Sequence, residues 1–284
     1  MAASPTPGGN PWLARRPLNF AHQGGAREGP SNTLHAMRAA VAAGAHALEL
    51  DVHATADGHL VVCHDDTLDR TTDGSGRIAE LTLDQVQRLD AAYWWVPGSV
   101  VDHGADPAAY PLRGRAPADP DLVVPTLRAV LEAFPGTYLN LDIKEWAPAV
   151  APYDGLVAGV LAEYGRVDDV LVGSFIDVAV ESFAARAPGV GTVAGTAAMA
   201  AFYFAVRQGA EPPSLPHAAL QVPPAFEGLT VVDEAFVAAA HHAGLAVHVW
   251  TVDEADEMAR LLDLGVDGVM TDRPSVLADV LAGR

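Results

Sequence analysis

This 284-residue chain is poor in cysteine, poor in basic residues and poor in long apolar runs. Its single cysteine, Cys63, excludes an internal disulfide, so there is no sign of a secreted, disulfide-held framework. Only 17 Lys and Arg stand against 36 Asp and Glu, a formal net charge of -19. Wrapping nucleic acid needs a basic face, and this balance excludes nucleic acid as a partner. It does not exclude a local positive group facing one phosphate. No apolar stretch reaches the roughly 18 residues of a membrane span. Arg15 and Arg16 are not followed by an apolar core, so a signal peptide is not expected and a cytoplasmic location is. Low-complexity tracts and short tandem repeats are absent from the sequence as well.

What the chain has is apolar residues, 50% of the total, gathered in short runs. Eight such runs recur: Leu18 to Ala21, Ala45 to Val52, Tyr138 to Ile143, Val170 to Ser174, Gly191 to Gly195, Ala218 to Val222, Ala246 to Val252 and Gly268 to Thr271. Most are near-continuous, as strands buried on both faces are. Helical patterns alternate with them, for example Thr33 to Ala43, Pro125 to Phe134, Tyr153 to Tyr164, Asp233 to Ala243 and Glu254 to Leu264. Gly44, Gly244 and Gly265 each follow a helical pattern and precede an apolar run, the glycine stop that leads from helix to strand. Alternation of this kind predicts a parallel α/β sheet, and eight units predict closure into a TIM (β/α)8 barrel. An open doubly wound sheet is the alternative. The expected organisation is a flexible N-terminal segment, 1–17, and a single domain, 18–284, with a rim insertion at about 91–124. That insertion carries Tyr93, Trp94 and Trp95 with five prolines and three glycines. Met199 to Pro224, with Phe202, Tyr203 and Phe204, reads as a second loop over the same rim.

Charge at a buried strand end is costly unless something neutralises it. Glu49 and Asp51 end one apolar run, and Asp142 and Lys144 end another. Residues two apart on a strand share a face, so each pair points one way. Glu49, Asp51 and Asp142 supply hard oxygen ligands, which suit one divalent cation, Mg2+ or Ca2+. An ion pair of purely structural value is the plainer account of Asp142 with Lys144. His22 ends the first strand. Asp57-Gly58 reads as a two-residue hairpin turn, and pairing outward from it sets Ala56 against His59 and Asp51 against His64. A slip of one would turn His64 away. Two histidines beside a metal-held phosphate serve as general acid and base. The other nine histidines, His53 and His103 among them, lack ligand spacing and are expected to be structural. Gly24 and Gly25 allow a close backbone approach, Ser31 and Asn32 are suited to cap the next helix, and Thr82 with Gln85 forms a capping box. Trp250 ends the seventh strand, where it lines either the pocket mouth or the core.

These residues resemble the glycerophosphodiester phosphodiesterase family. The likeness rests on His22-Gln23-Gly24, Pro30-Ser31-Asn32-Thr33, Glu49-Leu50-Asp51-Val52, Asp57-Gly58, His64-Asp65 and Thr67-Leu68-Asp69-Arg70-Thr71-Thr72. It continues through Asn140-Leu141-Asp142-Ile143-Lys144, Val249-Trp250-Thr251-Val252 and Gly268-Val269-Met270-Thr271-Asp272-Arg273-Pro274, and so covers roughly residues 18 to 281. It implies a TIM barrel, a divalent cation and cleavage of a glycerophosphodiester to glycerol phosphate and an alcohol, a free glycerol hydroxyl attacking phosphorus by way of a cyclic phosphate. It implies that His22 and His64 transfer protons, that Glu49, Asp51 and Asp142 bind the metal, and that Gln23, Lys144 and Trp250 lie against substrate. The chain departs from the family pattern at Gln23, where the family has Arg, at Ser31, where it has Glu, and at Asp142, where it has Glu. Arg27 is a candidate to replace the lost cation. The expected partner is a small phosphodiester. A lysophospholipid, cleaved as by a lysophospholipase D with its acyl chain on the clustered aromatics, is one alternative, and a non-catalytic phosphoester-binding protein is another. No pattern in the sequence speaks to the oligomeric state.

Overall fold

The computed structural model describes residues 10–15 and 17–284. In chain order its strands are β1 (Leu18–His22), β2 (Ala47–Ala54), β3 (Leu60–Val62), β4 (Tyr138–Ile143), β5 (Val170–Gly173), β6 (Gly191–Thr192), β7 (Ala219–Val222), β8 (Ala225–Phe226), β9 (Leu229–Thr230), β10 (Ala246–Val249) and β11 (Gly268–Thr271). Eight run parallel in the spatial order β6-β5-β4-β2-β1-β11-β10-β7, and each coincides with one of the eight expected apolar runs. The gap between β6 and β7 is bridged by Val193 against Ala219, with Ala218 N–H donating to Thr192 O at 2.8 Å. The sheet thus nearly closes on itself, and helices fill the crossovers: this is a (β/α)8 barrel. The expected glycine stops hold: Gly44, Gly244 and Gly265 have φ of +101°, +77° and +85° after their helices.

The barrel's lower end is plugged by the chain itself. Of the segment 1–17 expected to be flexible, residues 1–9 and 16 lie outside the described residues. Within the rest, helix Pro11–Ala14 is capped by Asn10, whose side chain accepts from Trp12 N–H and donates to Ala218 O and Gly244 O. Trp12 is 1% exposed and packs with Leu18, Phe20, Ala47, Ala246 and Met270 inside the staves. An apolar side chain of this size does better in the barrel than in water.

The insertion at 91–124 has its own small core, in which Ala92, Trp95, Leu112 and Leu122 are buried together. Trp94 Nε1–H donates to Thr72 O and Trp95 Nε1–H to Ala26 O, so it is fastened to the rim loops. The second expected loop is corrected. Thr196–Arg207 is a helix. Its Phe202 is fully buried against Phe236, with ring centroids 5.9 Å apart, and Tyr203 lies against the same ring, while Phe204 points to solvent.

The hairpin turn is also corrected. Val52 pairs with Val62 and Ala54 with Leu60, one residue off the register counted from Asp57-Gly58. The loop is one residue longer than counted: Thr55 closes on His59, and Gly58 takes the left-handed conformation at φ +79°. A three-residue hairpin loop ending in such a residue shifts the count by one. Cys63 N–H then donates to Asp51 O, and His64 lies past the end of β3. Freed from strand alternation, it still turns inward.

Candidate active site

Parallel register brings the charged strand ends together. Asp51 on β2 stands beside Asp142 on β4, and Glu49 on β2 beside His22 at the end of β1. Adjacent strands lie about 4.8 Å apart, so these side chains share one small volume at the carboxyl ends of the staves. Lys144, just past β4, places Nζ 3.2 Å from Asp51 Oδ1 and 3.4 Å from Asp142 Oδ2. His64 Nε2 lies 3.5 Å from the same Nζ, and His22 Nε2 lies 3.8 Å from Glu49 Oε2. The five side chains expected to form the centre, together with Lys144, thus make one connected cluster.

Its electrostatics follow from crowding acids where water is scarce. Burial, then the charge of Asp51, raises Glu49 above the ordinary carboxylate range. Burial also raises Asp142, to about 6, although Lys144 opposes it. Burial lowers the Lys144 ammonium, but the charges of Asp51 and Asp142 outweigh this and raise it. Lys144 thus serves Asp51 and Asp142, while Glu49 faces His22.

Both histidines are held in the same manner. His22 Nδ1 is 2.6 Å from Asp272 Oδ1, and His64 Nδ1 is 2.7 Å from Asp65 Oδ1. A carboxylate on Nδ1 fixes the tautomer and leaves Nε2 free to face the site. Burial pushes His22 down, but the Asp272 hydrogen bond and the charges of Glu49, Asp272 and Asp51 raise it to about 9. Asp65 is gripped in turn by Arg70, whose Nε and Nη2 donate at 2.5 and 3.1 Å. The side-chain contacts of His64 and Arg70 hold Asp65 well below the usual carboxylate range, against the desolvation that opposes it. Asp272, Asp65 and Arg70 were within the motifs, yet sequence reasoning assigned them no role. The available signal was that Asp272 ends an apolar strand run, as Asp51 and Asp142 do.

Gln23 and Asn32 form the wall. Gln23 has a left-handed backbone, φ +50°, and its N–H donates to Glu49 Oε2 at 3.2 Å. Its side chain is 5% exposed and packs beside His22, Nε2 to Nε2 at 3.4 Å. Asn32, expected as a helix cap, is not the cap. Thr33 caps helix Leu34–Ala42, accepting from Ala36 N–H, while Asn32, at φ +58°, donates from Nδ2 to Asp51 Oδ2 at 3.4 Å. Arg27 pairs with Asp253 at 3.3 Å. Gly25 faces Pro274 so closely that a Cβ would stand 2.9 Å from its ring, so this glycine serves packing. Trp250 is half-buried and meets the exposed Phe175 edge to face, with centroids 5.7 Å apart.

Among the described residues, no three His, Cys, Asp or Glu side chains are arranged to hold a metal ion as they stand. Lys144 reaches between two of the acids. The donor set nevertheless fits a hard cation: the buried carboxylates of Glu49 and Asp51 with the partly buried one of Asp142, and Gln23 Oε1 and Asn32 Oδ1 buried beside them without a hydrogen-bond partner.

Residues 22–276 match the glycerophosphoryl diester phosphodiesterase family. The chain belongs to that family. With it, the chain belongs to the phosphoric diester hydrolases. It is 30% identical to the glycerophosphodiester phosphodiesterase of Bacillus subtilis (strain 168), over 97% of this chain and 90% of that protein. It is 33% identical to the probable glycerophosphodiester phosphodiesterase 2 of Mycobacterium tuberculosis, over 90% and 86%. Its fold matches a phosphodiesterase of Oleispira antarctica solved with the product sn-glycerol-3-phosphate. The TM-score is 0.71 at 23% identity, covering 95% of this chain and 99% of that one. Lys144 contacts Asp51 as well as Asp142, so the pair of Asp142 with Lys144 is not an isolated one. No helix among the described residues is long and apolar enough to cross a membrane.

Proposed function

We propose that this chain hydrolyses glycerophosphodiesters to glycerol phosphate and an alcohol, with one divalent cation, Mg2+ or Ca2+, held by Glu49, Asp51 and Asp142. The observation that carries this reading is the pair of histidines, each fixed through Nδ1 on a carboxylate and each turning Nε2 toward one acid and lysine cluster. When bound, the cation supplies positive charge to the phosphoryl oxygens and to the group under attack. Everything else falls to the chain. Lys144 neutralises the acids and offers its remaining N–H to a phosphate oxygen. His22 Nε2 at the end of β1 and His64 Nε2 in the loop beyond β3 approach the cluster from different segments, so one takes a proton from the attacking oxygen while the other gives one to the leaving oxygen. Gln23 and Trp250 flank the cluster as substrate-facing walls. The relatives named for this reaction, and the neighbour solved with sn-glycerol-3-phosphate, support the same substrate class.

The lysophospholipid reading is not favoured. Of the clustered aromatics, Phe202 and Trp95 are buried and Trp94 is stacked on His103 at 4.5 Å, which leaves Phe204 as the one largely exposed ring. A panel of glycerophosphodiesters and lysophospholipids, assayed with Mg2+ and with Ca2+, tests the proposal by following the phosphate-containing product. Glycerol phosphate released from glycerophosphocholine, with none from lysophosphatidylcholine, is the expected result. Turnover of the lysolipid alone would overturn it.

A further inference from the structure

His53 lies on β2 two residues beyond Asp51 and is 1% exposed. Its Nδ1 is 3.1 Å from Glu145 Oε2, and its Nε2 is 3.3 Å from the backbone carbonyl of His64. A buried imidazole with both nitrogens engaged spans two separate segments. One carries His64, and the other carries Lys144, immediately before Glu145. The second segment is itself anchored. Tyr153 Oη accepts from the N–H groups of Lys144 and Glu145, both at 3.1 Å, and donates to Val52 O at 2.7 Å. Arg77 holds the other oxygen of Glu145 at 2.7 Å. The His64 segment lacks a strand ladder of its own, since β3 ends at Val62. Beyond the Asp65 and Arg70 contacts, two side chains tie that segment to Glu145: Arg77, which also pairs with Asp66 at 3.2 Å, and His53, the one that reaches the His64 carbonyl itself.

We propose that His53 is a positioning residue for His64: it links the His64 carbonyl to Glu145 and thereby sets the 3.5 Å spacing of His64 Nε2 from Lys144 Nζ. The inference rests on the proposed function for its kinetic consequence, but the bridge itself is a matter of geometry. Phenylalanine at this position fills the space and donates nothing, whereas glutamine keeps a donor of similar reach. Misplacing a catalytic group by about 1 Å costs roughly a hundredfold in rate.

The test compares His53→Phe, His53→Gln and Glu145→Ala, which cuts the bridge from its other end and releases Arg77 with it, in glycerophosphocholine turnover and in 15N spectra of the histidine rings. Arg77→Met, which spares the bridge, is the control and is expected to leave the His64 ring where it is. In His53→Phe and Glu145→Ala, kcat is expected to fall about tenfold or more while KM changes much less. His53→Gln is expected to stay within a few-fold of the unaltered enzyme. The His64 ring resonances should move and those of His22 should not. If His53→Phe does not fold, Glu145→Ala and the spectra of His53→Gln carry the test. Unchanged kcat in the bridge-cutting variants, or equal perturbation of both rings, would overturn the assignment. Absence of turnover in the unaltered protein would count against the proposed function instead, and the ring spectra would still decide the bridge.

Discussion

His64 Nε2 and Lys144 Nζ lie 3.5 Å apart although 80 residues separate them in the chain. The contact joins the hairpin that leaves β2 to the end of β4, and through Lys144 it reaches both Asp51 and Asp142. A lysine so placed is the internal counter-charge of the acid cluster.

Its removal is therefore expected to destabilise the cation-free protein. Lys144→Met leaves Glu49, Asp51 and Asp142 without their lysine, and breaking a partly buried pair of this kind costs about 3 kcal/mol. A saturating divalent cation should recover much of that loss. Denaturant titrations in EDTA and in excess Mg2+ or Ca2+ measure both quantities. Equal destabilisation in the two conditions would separate Lys144 from the cation site.

The protonation of the cluster gives a pH dependence with a definite sign. His22 is raised from 6.5 to about 9, Asp142 from 3.8 to about 6, and Glu49 upward as well. A group whose folded value lies above its unfolded value binds more protons in the folded state. Its stabilisation is complete below the unfolded value and is lost as pH rises through the folded one. Below about pH 6.5 the buried His248, lowered to about 3, acts in the opposite sense, so the fall in melting temperature of EDTA-treated protein is expected between about pH 7 and pH 9, where His22 dominates. Asp272→Asn should flatten the upper part of that fall, since Asp272 holds His22. A melting temperature that rises over this range would contradict the assignment.

Asp51 is 2% exposed and touches both Lys144 and Asn32. Asp51→Asn is expected to abolish turnover and stabilisation by added cation together, because a ligand bound only to the folded state raises stability. Thermal shifts across a series of Mg2+ and Ca2+ concentrations provide the measurement. An unchanged shift would remove Asp51 from the cation ligands.

The histidines should be separable from the scaffold. His22→Ala and His64→Ala are each expected to lower kcat by about a hundredfold or more, the range for losing an acid or base. The melting temperature of His64→Ala should change far less than that of Lys144→Met. Asp272→Asn and Asp65→Asn should lower kcat by about tenfold or more, since each carboxylate orients one ring. Undiminished turnover after changing both histidines would refute their roles.

Local chemistry in the sequence determined most of the scaffold. Near-continuous apolar runs demanded strands covered on both faces, and Gly44, Gly244 and Gly265 marked three of the returns from helix to sheet. Because the side-chain period of a strand is two, Glu49 with Asp51 had to face one way. The hairpin register was not legible, because one left-handed residue at Gly58 lengthens the loop and moves every pairing by one. Phe202-Tyr203-Phe204 misled because an aromatic run reads alike in a loop and on a helix that buries one ring of the three.

Tertiary structure alone decided which polar groups meet. Nothing in the order of residues pairs Asp272 with His22 across 250 positions, or sets His53 between Glu145 and His64. Those contacts arise because barrel closure makes the first and last staves neighbours and brings β2 beside β4. Which side chains repeat every second residue is a property of the strand itself. Which carboxylate reaches which imidazole depends on how strands far apart in the chain are laid side by side.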